Sequence, residues 1–258
     1  MPLPARALNP VAAGALTTTI AAVGRLAVIA GHTLLDAEPP PGAARRDVAT
    51  PWGPAAVLEA GNHLLLQRHG LDQYVPPHAI EHRANLAALA TLGVDRVLAI
   101  GSVGALKAWM AVGSFVSPND FIALHLGIST SGAAGHRVPG FDPGWRASVV
   151  DSFKRWDELS IHDRGTYWQA IGPRFETPSE IELISASADV IGMTLAAECV
   201  IAGELGLAYA PVCTVDNLAN GIGPAALTLT EYEEGRDMSR RRMREALEQV
   251  VPELAGAG

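Results

Sequence analysis

The chain has 258 residues, of which 48% are hydrophobic and 18% are charged. A chain of this length and composition can bury one substantial core, so we expect a single domain. The formal net charge of −8 argues against a basic surface of the kind that binds nucleic acid. An anionic ligand would therefore be held by a few local Arg, His or backbone N–H groups.

The two cysteines, Cys199 and Cys213, lie in apolar sequence and lack Cys-x-x-Cys spacing. This pattern argues against a metal site or a disulfide framework and favours a reducing, cytoplasmic setting. The apolar segment from Ala12 to Ala30 is interrupted by glycines, an arginine and a threonine triplet. It is therefore too broken for a membrane span and a poor match to a secretory signal, and we expect no membrane partner.

The first predicted element of the core is a strand. Residues 1–23 contain three prolines and little periodicity, which predicts a loose extension before a domain at residues 24–258. The apolar run 25–30 then predicts a buried strand that ends in the turn Gly31-His32-Thr33. Residues 37–53 are rich in proline and charge, and they predict an exposed connection.

The next motif is a predicted hairpin, with strands at 55–58 and 62–67, that ends at Arg68-His69-Gly70. Functional groups collect at strand ends in open α/β sheets, so Arg68 and His69 are candidate anion ligands. The alternative is a surface arginine with a capping histidine. A loop that contains His78 then leads to an amphipathic helix predicted at 80–92.

The middle of the chain predicts a strand that ends in a glycine turn. This turn, Gly101-Ser102-Val103-Gly104, presents successive N–H groups to an anion, although glycines at a strand end often serve packing alone. We expect a short helix at 105–109 and a helix at 147–156, and residues 113–122 resemble a strand segment of a known enzyme family that is named below. The Gly-, Ser- and Thr-rich residues 127–143 predict a mobile loop.

Residues 165–195 predict a strand, a loop, a helix at 180–187 and a second buried strand at 190–192. The loop contains Phe175 and Glu176. A carboxylate beside an aromatic ring can accept hydrogen bonds from a flat heterocycle that stacks on the ring. The alternative is that Glu176 complements the dipole of the helix that begins near Pro178.

The last third predicts a helix at 195–205, a strand at 209–215 that leads to Asp216-Asn217, and a long charged helix at 229–254. The sequence shows no Ser-His-acid arrangement and no metal-ligand spacing. This pattern disfavours a covalent or metal-assisted hydrolase.

Several of these motifs, in the same order, resemble the signature of the trimeric purine nucleoside phosphorylase and methylthioadenosine (methylthioinosine) phosphorylase family. The resemblance spans about residues 26–254. It rests on Arg68-His69-Gly70, Gly101-Ser102-Val103-Gly104, Gly172-Pro173-Arg174-Phe175-Glu176-Thr177, Gly192-Met193-Thr194 and Asp216-Asn217.

The resemblance implies an α/β fold, with a single three-layer α/β/α domain around a mixed twisted sheet, and a homotrimer. It also implies a pentosyltransferase of purine salvage that cleaves purine nucleosides with phosphate. The products would be a free purine and (deoxy)ribose 1-phosphate. Inorganic phosphate would be a co-substrate, and neither a cofactor nor a metal would be required.

The resemblance also implies which residues bind phosphate. The family carries Thr or Ser where a gapless alignment places His32, and Thr33 follows one step later, so either residue is the candidate in this turn. The His at this position also raises the alternative of a catalytically inactive nucleoside-binding relative. The implied phosphate ligands are His32, Thr33, Arg68, His69, Ser102 and Thr194.

For the nucleoside, the resemblance implies that Glu176 and Asn217 hold the base during catalysis. Asn at the base-reading position is typical of 6-oxopurine enzymes and Asp of 6-aminopurine enzymes. Counting without gaps places Asn217 there, whereas a shift of one residue would place Asp216 there and indicate a methylthioadenosine phosphorylase. The other implied nucleoside contacts are Val103, Gly104, Phe175, Met193, Asp216, His78, Leu229 and Glu233.

Two further roles follow from the resemblance. Leu229 and Glu233 lie where the last helix of the family closes over the 5′ end of the nucleoside. An apolar Leu229 favours a methylthio or deoxy substituent, whereas Glu233 favours a hydroxyl. Glu198 matches a family glutamate near the ribose or among the residues that support it.

Overall fold

The computed structural model of the chain describes residues 24–34, 39–130, 136–157, 161–223 and 229–256. Within these residues, eleven strands form one mixed sheet. The strands are β1 (Arg25–Ala30), β2 (Ala44–Thr50), β3 (Gly53–Ala60), β4 (His63–Gln67), β5 (Val94–Ala105), β6 (Phe115–Val116), β7 (Asp120–Ile122), β8 (Ile161–His162), β9 (Thr166–Gln169), β10 (Val190–Gly192) and β11 (Ala208–Leu218).

The same residues contain five α-helices and two short 3-10 turns. The helices are α1 (His82–Thr91), α2 (Pro143–Trp156), α3 (Pro178–Ser185), α4 (Leu195–Glu204) and α5 (Leu229–Gly256). The 3-10 turns are His32–Leu34 and Pro77–Ala79. None of the described helices is both long enough and apolar enough to cross a membrane.

The sheet has the strand order β2-β3-β4-β1-β5-β10-β9-β7, and β11 pairs with β5 on a second branch that continues to β6 and β8. β1 lies parallel to both β4 and β5, and β11 also lies parallel to β5. The carboxyl ends of these four strands therefore meet at one edge. Open α/β sheets bind their ligands at such an edge.

The layers follow from the alternation of side chains along the strands. On β1, Ala27 and Ile29 face a core that includes α1 and α4, whereas Leu26 and Val28 face a core that includes α2 and α5. Successive side chains of a strand point to opposite faces of the sheet. A strand with a continuous apolar run is therefore covered on both of its faces. The predicted three-layer α/β/α fold with a mixed sheet is confirmed.

Two predictions of local structure were wrong. Within the expected exposed connection, residues 44–50 form β2, which pairs with β3 along its whole length. Arg45, Arg46 and Asp47 are exposed on β2, and charged residues of this kind protect an edge strand from pairing with another chain. The segment therefore lacks the apolar pattern from which a strand is predicted. The short helix expected at 105–109 is absent, because β5 continues to Ala105 and pairs there with β10 and β11.

The other predicted elements are present with bounds that differ by a few residues. The strand expected at 113–122 is two short strands, β6 and β7, and the helix expected from residue 147 begins at Pro143. Asp142 caps α2 by accepting a hydrogen bond from the Trp145 N–H at 2.7 Å, which explains its earlier start. The predicted extension, residues 1–23, and part of the predicted loop, residues 131–135, lie outside the described residues.

Candidate active site

A cavity of about 320 Å³ opens where β1, β4, β5, β10 and β11 end. It brings together residues that are up to 188 positions apart in the chain, from His32 to Asn220. The predicted site residues that line it are His32, Arg68, His69, Ser102, Val103, Gly104, Phe175, Glu176, Met193, Thr194 and Asn217.

Arg68 follows β4 and forms a buried ion pair with Glu198 of α4. Arg68 Nε and Nη2 donate to the two carboxylate oxygens of Glu198 at 2.6 and 3.0 Å, and each side chain is 1% exposed. Tyr209 Oη donates to the same carboxylate at 2.6 Å. Although burial opposes ionisation, the charge of Arg68 lowers the pKa of Glu198 to about 2. Glu198 therefore orients Arg68.

Arg68 is also bonded to the backbone of the neighbouring strand. Its Nη1 donates to the Ile100 carbonyl at 2.6 Å, so three of its five N–H groups are used and two remain for the cavity. Gly31, in the turn after β1, makes room for this arrangement, because a Cβ there would lie 2.2 Å from Arg68 Nη1. A larger residue at position 31 would displace the guanidinium.

His69 lies beside Arg68 and is held as a neutral ring. Its Nδ1 lies 2.9 Å from the carbonyl oxygen of Val75, which can only accept, so Nδ1 carries the proton and Nε2 is an acceptor. Burial lowers the pKa of His69 to about 4, and the charge of Arg68 acts in the same direction. His69 can therefore accept from a protonated phosphate oxygen, or take up a proton when a dianion binds.

An aromatic wall faces this end of the cavity. The rings of His69 and Tyr74 stack with centroids 5.3 Å apart, and His32 lies edge-on to both at 5.9 and 6.0 Å. His32 thus lies in the wall of the cavity, in the turn where the family carries a hydroxyl. The side chain of Thr33, the alternative ligand in this turn, lies outside the described part of the structure.

Thr194 is placed with its hydroxyl available to the cavity. It is the N-cap residue of α4, yet its side chain makes no capping hydrogen bond. The first N–H groups of α4 are satisfied by other side chains, since Tyr167 Oη accepts from Thr194 at 3.1 Å and Gln169 Oε1 accepts from Ala196 at 2.7 Å. The Thr194 hydroxyl at the cavity wall is therefore not needed to cap the helix.

At the opposite end of the cavity lies Glu176, which has no part in capping α3. Thr177 caps that helix in a capping box with Glu180, and Arg174 pairs with Glu180 at 2.8 Å. The acidic residue in the first turn of α3 is Glu180, so Glu176 is not required for the cap of that helix. Burial raises the pKa of Glu176 above its usual value. Phe175 lines the same part of the cavity and is half-exposed.

Asp216 and Asn217 are separated by a β-bulge in β11. The pairing with β5 runs from Val215 opposite Val103 directly to Asn217 opposite Gly104, so Asp216 is the extra residue. Asn217 lines the cavity, and its Nδ2 donates to the Leu218 carbonyl at 2.8 Å, which leaves Oδ1 to accept from a ligand.

Asp216 occupies a different environment from Asn217. It is not among the described residues that line the cavity, and its carboxylate accepts a short hydrogen bond from the Ser102 hydroxyl. Burial raises the pKa of Asp216. The structure therefore places Asn217, and not Asp216, in the wall of the cavity.

The remaining predicted nucleoside contacts are not brought to the cavity among the described residues. His78 lines a neighbouring cavity of about 220 Å³, which shares Pro77, Ala170 and Met193 with the first. Glu233 is exposed on α5. The side chain of Leu229 lies outside the described part of the structure.

Sequence reasoning also missed several residues of the cavity wall. Tyr74 and Asn220 are the most polar of them, and Asn220 Nδ2 lies 3.4 Å from the backbone oxygen of Glu176. The signal for Asn220 was its position three residues after Asn217, just beyond the end of the strand that carries Asn217 to the site. For Tyr74 the signal was an aromatic ring in the loop that follows Arg68-His69-Gly70.

The family follows from comparison with known proteins. The model of the phosphorylase superfamily matches residues 47–252 of the chain. The protein belongs to the phosphorylase superfamily. The resemblance to the purine nucleoside and methylthioadenosine phosphorylases is thereby confirmed.

The relatives of this phosphorylase are named for two kinds of substrate. "Probable 6-oxopurine nucleoside phosphorylase" of Archaeoglobus fulgidus is 37% identical over 212 residues, which cover 80% of this chain and 87% of the relative. "S-methyl-5'-thioadenosine phosphorylase" of Pyrococcus horikoshii is 34% identical over 221 residues, which cover 80% and 86%. The names differ in the purine, so they leave open which purine this phosphorylase accepts.

Solved structures share the fold of this phosphorylase. Methylthioadenosine phosphorylase from Schistosoma mansoni, in complex with adenine, superposes with a TM-score of 0.78 at 23% sequence identity. The match covers 91% of this chain and 93% of the other. It supports the single α/β architecture described above.

The Glu198→Gln variant tests the buried ion pair. Removing one charge leaves Arg68 buried without its partner, so we expect the free energy of unfolding at neutral pH to fall by about 3–5 kcal/mol. Since the pKa of Glu198 is lowered to about 2, its contribution is fully present above the usual value of 4.5 and is lost as pH falls toward about 2. Urea unfolding at several pH values measures both effects.

The matched control is Glu248→Gln, the same substitution at an exposed position of α5. It should change the free energy of unfolding by less than about 0.5 kcal/mol. Equal losses in the two variants would contradict the role of Glu198 in holding Arg68.

Proposed function

We propose that this phosphorylase cleaves purine nucleosides with inorganic phosphate, releasing a free purine and (deoxy)ribose 1-phosphate, with a preference for 6-oxopurines such as inosine, guanosine or methylthioinosine. One observation carries the proposal. One cavity is lined by the cationic and hydroxyl donors Arg68 and Thr194 and also by the carboxylate of Glu176 and the amide of Asn217. Apolar residues such as Val103 and Met193 complete its wall.

At the phosphate end, Arg68 supplies two N–H donors, Thr194 a hydroxyl and Ser102 its main chain. These groups hold the anion in the cavity, so its attack on the sugar becomes an intramolecular step. A phosphate oxygen forms a bond to C1′ as the bond from C1′ to N9 of the purine breaks. The sugar passes through an oxocarbenium-like state, and Met193 offers it a soft apolar surface.

At the base end, the electron pair of the broken bond goes to the purine, and stabilising that charge lowers the barrier. N7 takes up a proton from solvent as the bond breaks, Asn217 Oδ1 accepts a hydrogen bond from the resulting N7–H, and the second N–H of Nδ2 donates to O6. Glu176 accepts from N1–H, and Phe175 stacks on the ring. The orientation of the Asn217 amide is set by the Leu218 carbonyl, so the acceptor faces N7.

The purine preference follows from the ionised form of Glu176. A 6-oxopurine presents N1–H to the carboxylate, whereas adenine presents an N1 lone pair and is repelled. The alternative is a methylthioadenosine phosphorylase in which Asp216 reads the base. That alternative is weakened because Asp216 is buried behind Ser102 and does not line the cavity in the described structure.

Assembly and cellular setting are part of the same proposal. We infer a homotrimer that acts in purine salvage in the cytoplasm, with phosphate as co-substrate and no cofactor. Support for assembly is the second cavity, beside which Leu124 and Ile171 are largely exposed. Support for a reducing compartment is that Cys199 and Cys213 are both buried as free thiols.

A phosphate-dependent assay over inosine, guanosine, adenosine and their methylthio forms tests the function. We expect kcat/KM for the 6-oxopurines to exceed that for the 6-aminopurines by at least about tenfold, because adenine leaves the Glu176 carboxylate unpaired. Faster release of adenine than hypoxanthine would contradict the purine assignment. Nucleoside binding without phosphate-dependent cleavage would instead identify an inactive relative.

Single alanine variants locate the residue that reads the base within the same assay. Asn217→Ala should lower kcat for inosine by about a hundredfold, because it removes the acceptor for N7–H. Asp216→Ala serves as the neighbouring comparison and should leave the ratio of inosine to adenosine turnover unchanged. A collapse of that ratio in Asp216→Ala alone would favour the methylthioadenosine alternative.

The purine preference should depend on pH. Since burial raises the pKa of Glu176, its carboxylate becomes protonated at a higher pH than an ordinary glutamate. Acidification converts an acceptor into a donor, so the ratio of kcat/KM for inosine to that for adenosine should fall as pH decreases. In Glu176→Gln the ratio should be low and independent of pH. A wild-type ratio that stays constant on acidification would contradict the role of Glu176.

A further inference from the structure

A group of polar side chains is buried between β11 and α5, directly behind the phosphate end of the cavity. Among the described residues, four buried side-chain atoms have no hydrogen-bond partner of good geometry, and three of them lie in this group: Asp216 Oδ1, Arg236 Nε and Ser239 Oγ. Burying a polar atom without a hydrogen bond costs free energy, so such a group calls for an explanation. The contacts of Arg236 therefore bear on the role of this group.

α5 lies so close to β11 that the position of Arg236 is fixed. A Cβ at the preceding residue, Gly235, would lie 1.8 Å from the backbone oxygen of Asp216, so only glycine permits this approach. The close contact fixes the first turns of α5 against the bulge in β11. Arg236 thus starts from a backbone that cannot shift without separating the two elements.

From this position Arg236 reaches the phosphate turn after β1. Its Nη1 lies 3.1 Å from His32 Nε2. A guanidinium can only donate, so His32 Nε2 accepts and the ring carries its proton on Nδ1. The contact fixes both the orientation and the tautomer of a side chain that lines the cavity.

Asp216 connects the same group to the second turn of the site. Its carboxylate accepts from the Ser102 hydroxyl, and Ser102 also lines the cavity. Asp216 Oδ1 and Arg236 Nε complement each other as acceptor and donor in the same buried group. The group therefore links the turn after β1 to the glycine turn of β5.

We propose that Arg236 is a positioning residue of the phosphate site, which fixes His32 from behind and, together with Asp216, holds the turns of His32 and Ser102 in place. This inference rests on the proposed phosphorolytic function. It explains how His32 can replace the hydroxyl of the family, because an imidazole needs a partner that sets its tautomer, whereas a hydroxyl rotates freely.

The charge balance supports the same assignment. Arg68 is paired with Glu198, and His69 is held neutral, so the two most evident phosphate ligands supply little net positive charge. Arg236 adds a cation behind His32. Asp216 of the same buried group and the well-exposed Asp237, 3.6 Å from Arg236, both offset part of that charge. Arg236 therefore acts on a phosphate anion through its contact with His32.

Steady-state kinetics of Arg236→Met tests the proposal. We expect KM for phosphate to rise about tenfold or more, since a hydrogen bond from a charged group is lost. KM for inosine should stay within about twofold, and kcat at saturating phosphate should be largely retained. Arg236→Lys, which keeps the charge and one donor, should give an intermediate KM for phosphate. Arg241→Met, an exposed position on the same helix, is the control and should resemble the wild type.

A double-mutant cycle distinguishes positioning from a general effect on folding. In a His32→Ala background, Arg236→Met should change KM for phosphate by no more than about twofold, because its target is gone. Full additivity of the two effects, or an equal rise of both KM values, would overturn the proposal. If Arg236→Met does not fold, Arg236→Lys in the same cycle decides the question. Wild-type protein without phosphate-dependent cleavage would refute the proposed function itself and not this contact alone.

Discussion

The ion pair between Arg68 and Glu198 is the contact on which the geometry of the phosphate end depends. It joins the end of β4 to the interior of α4, across 130 positions of sequence, with both side chains almost fully buried. A buried ion pair need not add net stability, but one charge left alone is strongly destabilising. Because Glu198, Ile100 and Gly31 determine where the guanidinium lies, the site presents its remaining donors without reorganisation.

The same contact determines how the rest of the site must supply charge. A neutralised Arg68 and a neutral His69 can orient a phosphate, but they attract it weakly. Attraction therefore comes from hydrogen-bond donors in a confined cavity, and the proposed role of Arg236 is to hold His32 in place there. Weak attraction of the anion suits an enzyme whose product also carries a phosphate group, because excessively tight anion binding would slow product release.

Most of the architecture could be predicted from the sequence, because apolar runs such as residues 25–30 have the length and continuity of buried strands. The ends of these strands indicated Arg68, His69 and Glu176. Three features could not be read in this way. The edge strand β2 carries a charged rather than an apolar pattern, the pairing of Arg68 with Glu198 is long-range, and the bulge at Asp216 depends on the register with β5.

The bulge also explains how two adjacent polar residues come to serve different ends of one reaction. Without the extra residue, pairing of β11 with β5 would continue in register, and the residue after Val215 would stand opposite Gly104. With it, Asn217 takes that place in the cavity wall, while Asp216 is buried toward Ser102 and α5. A single inserted residue thus separates the residue proposed to read the base from the one proposed to support the phosphate turns. Sequence counting alone could not divide these roles, because the division lies in backbone geometry.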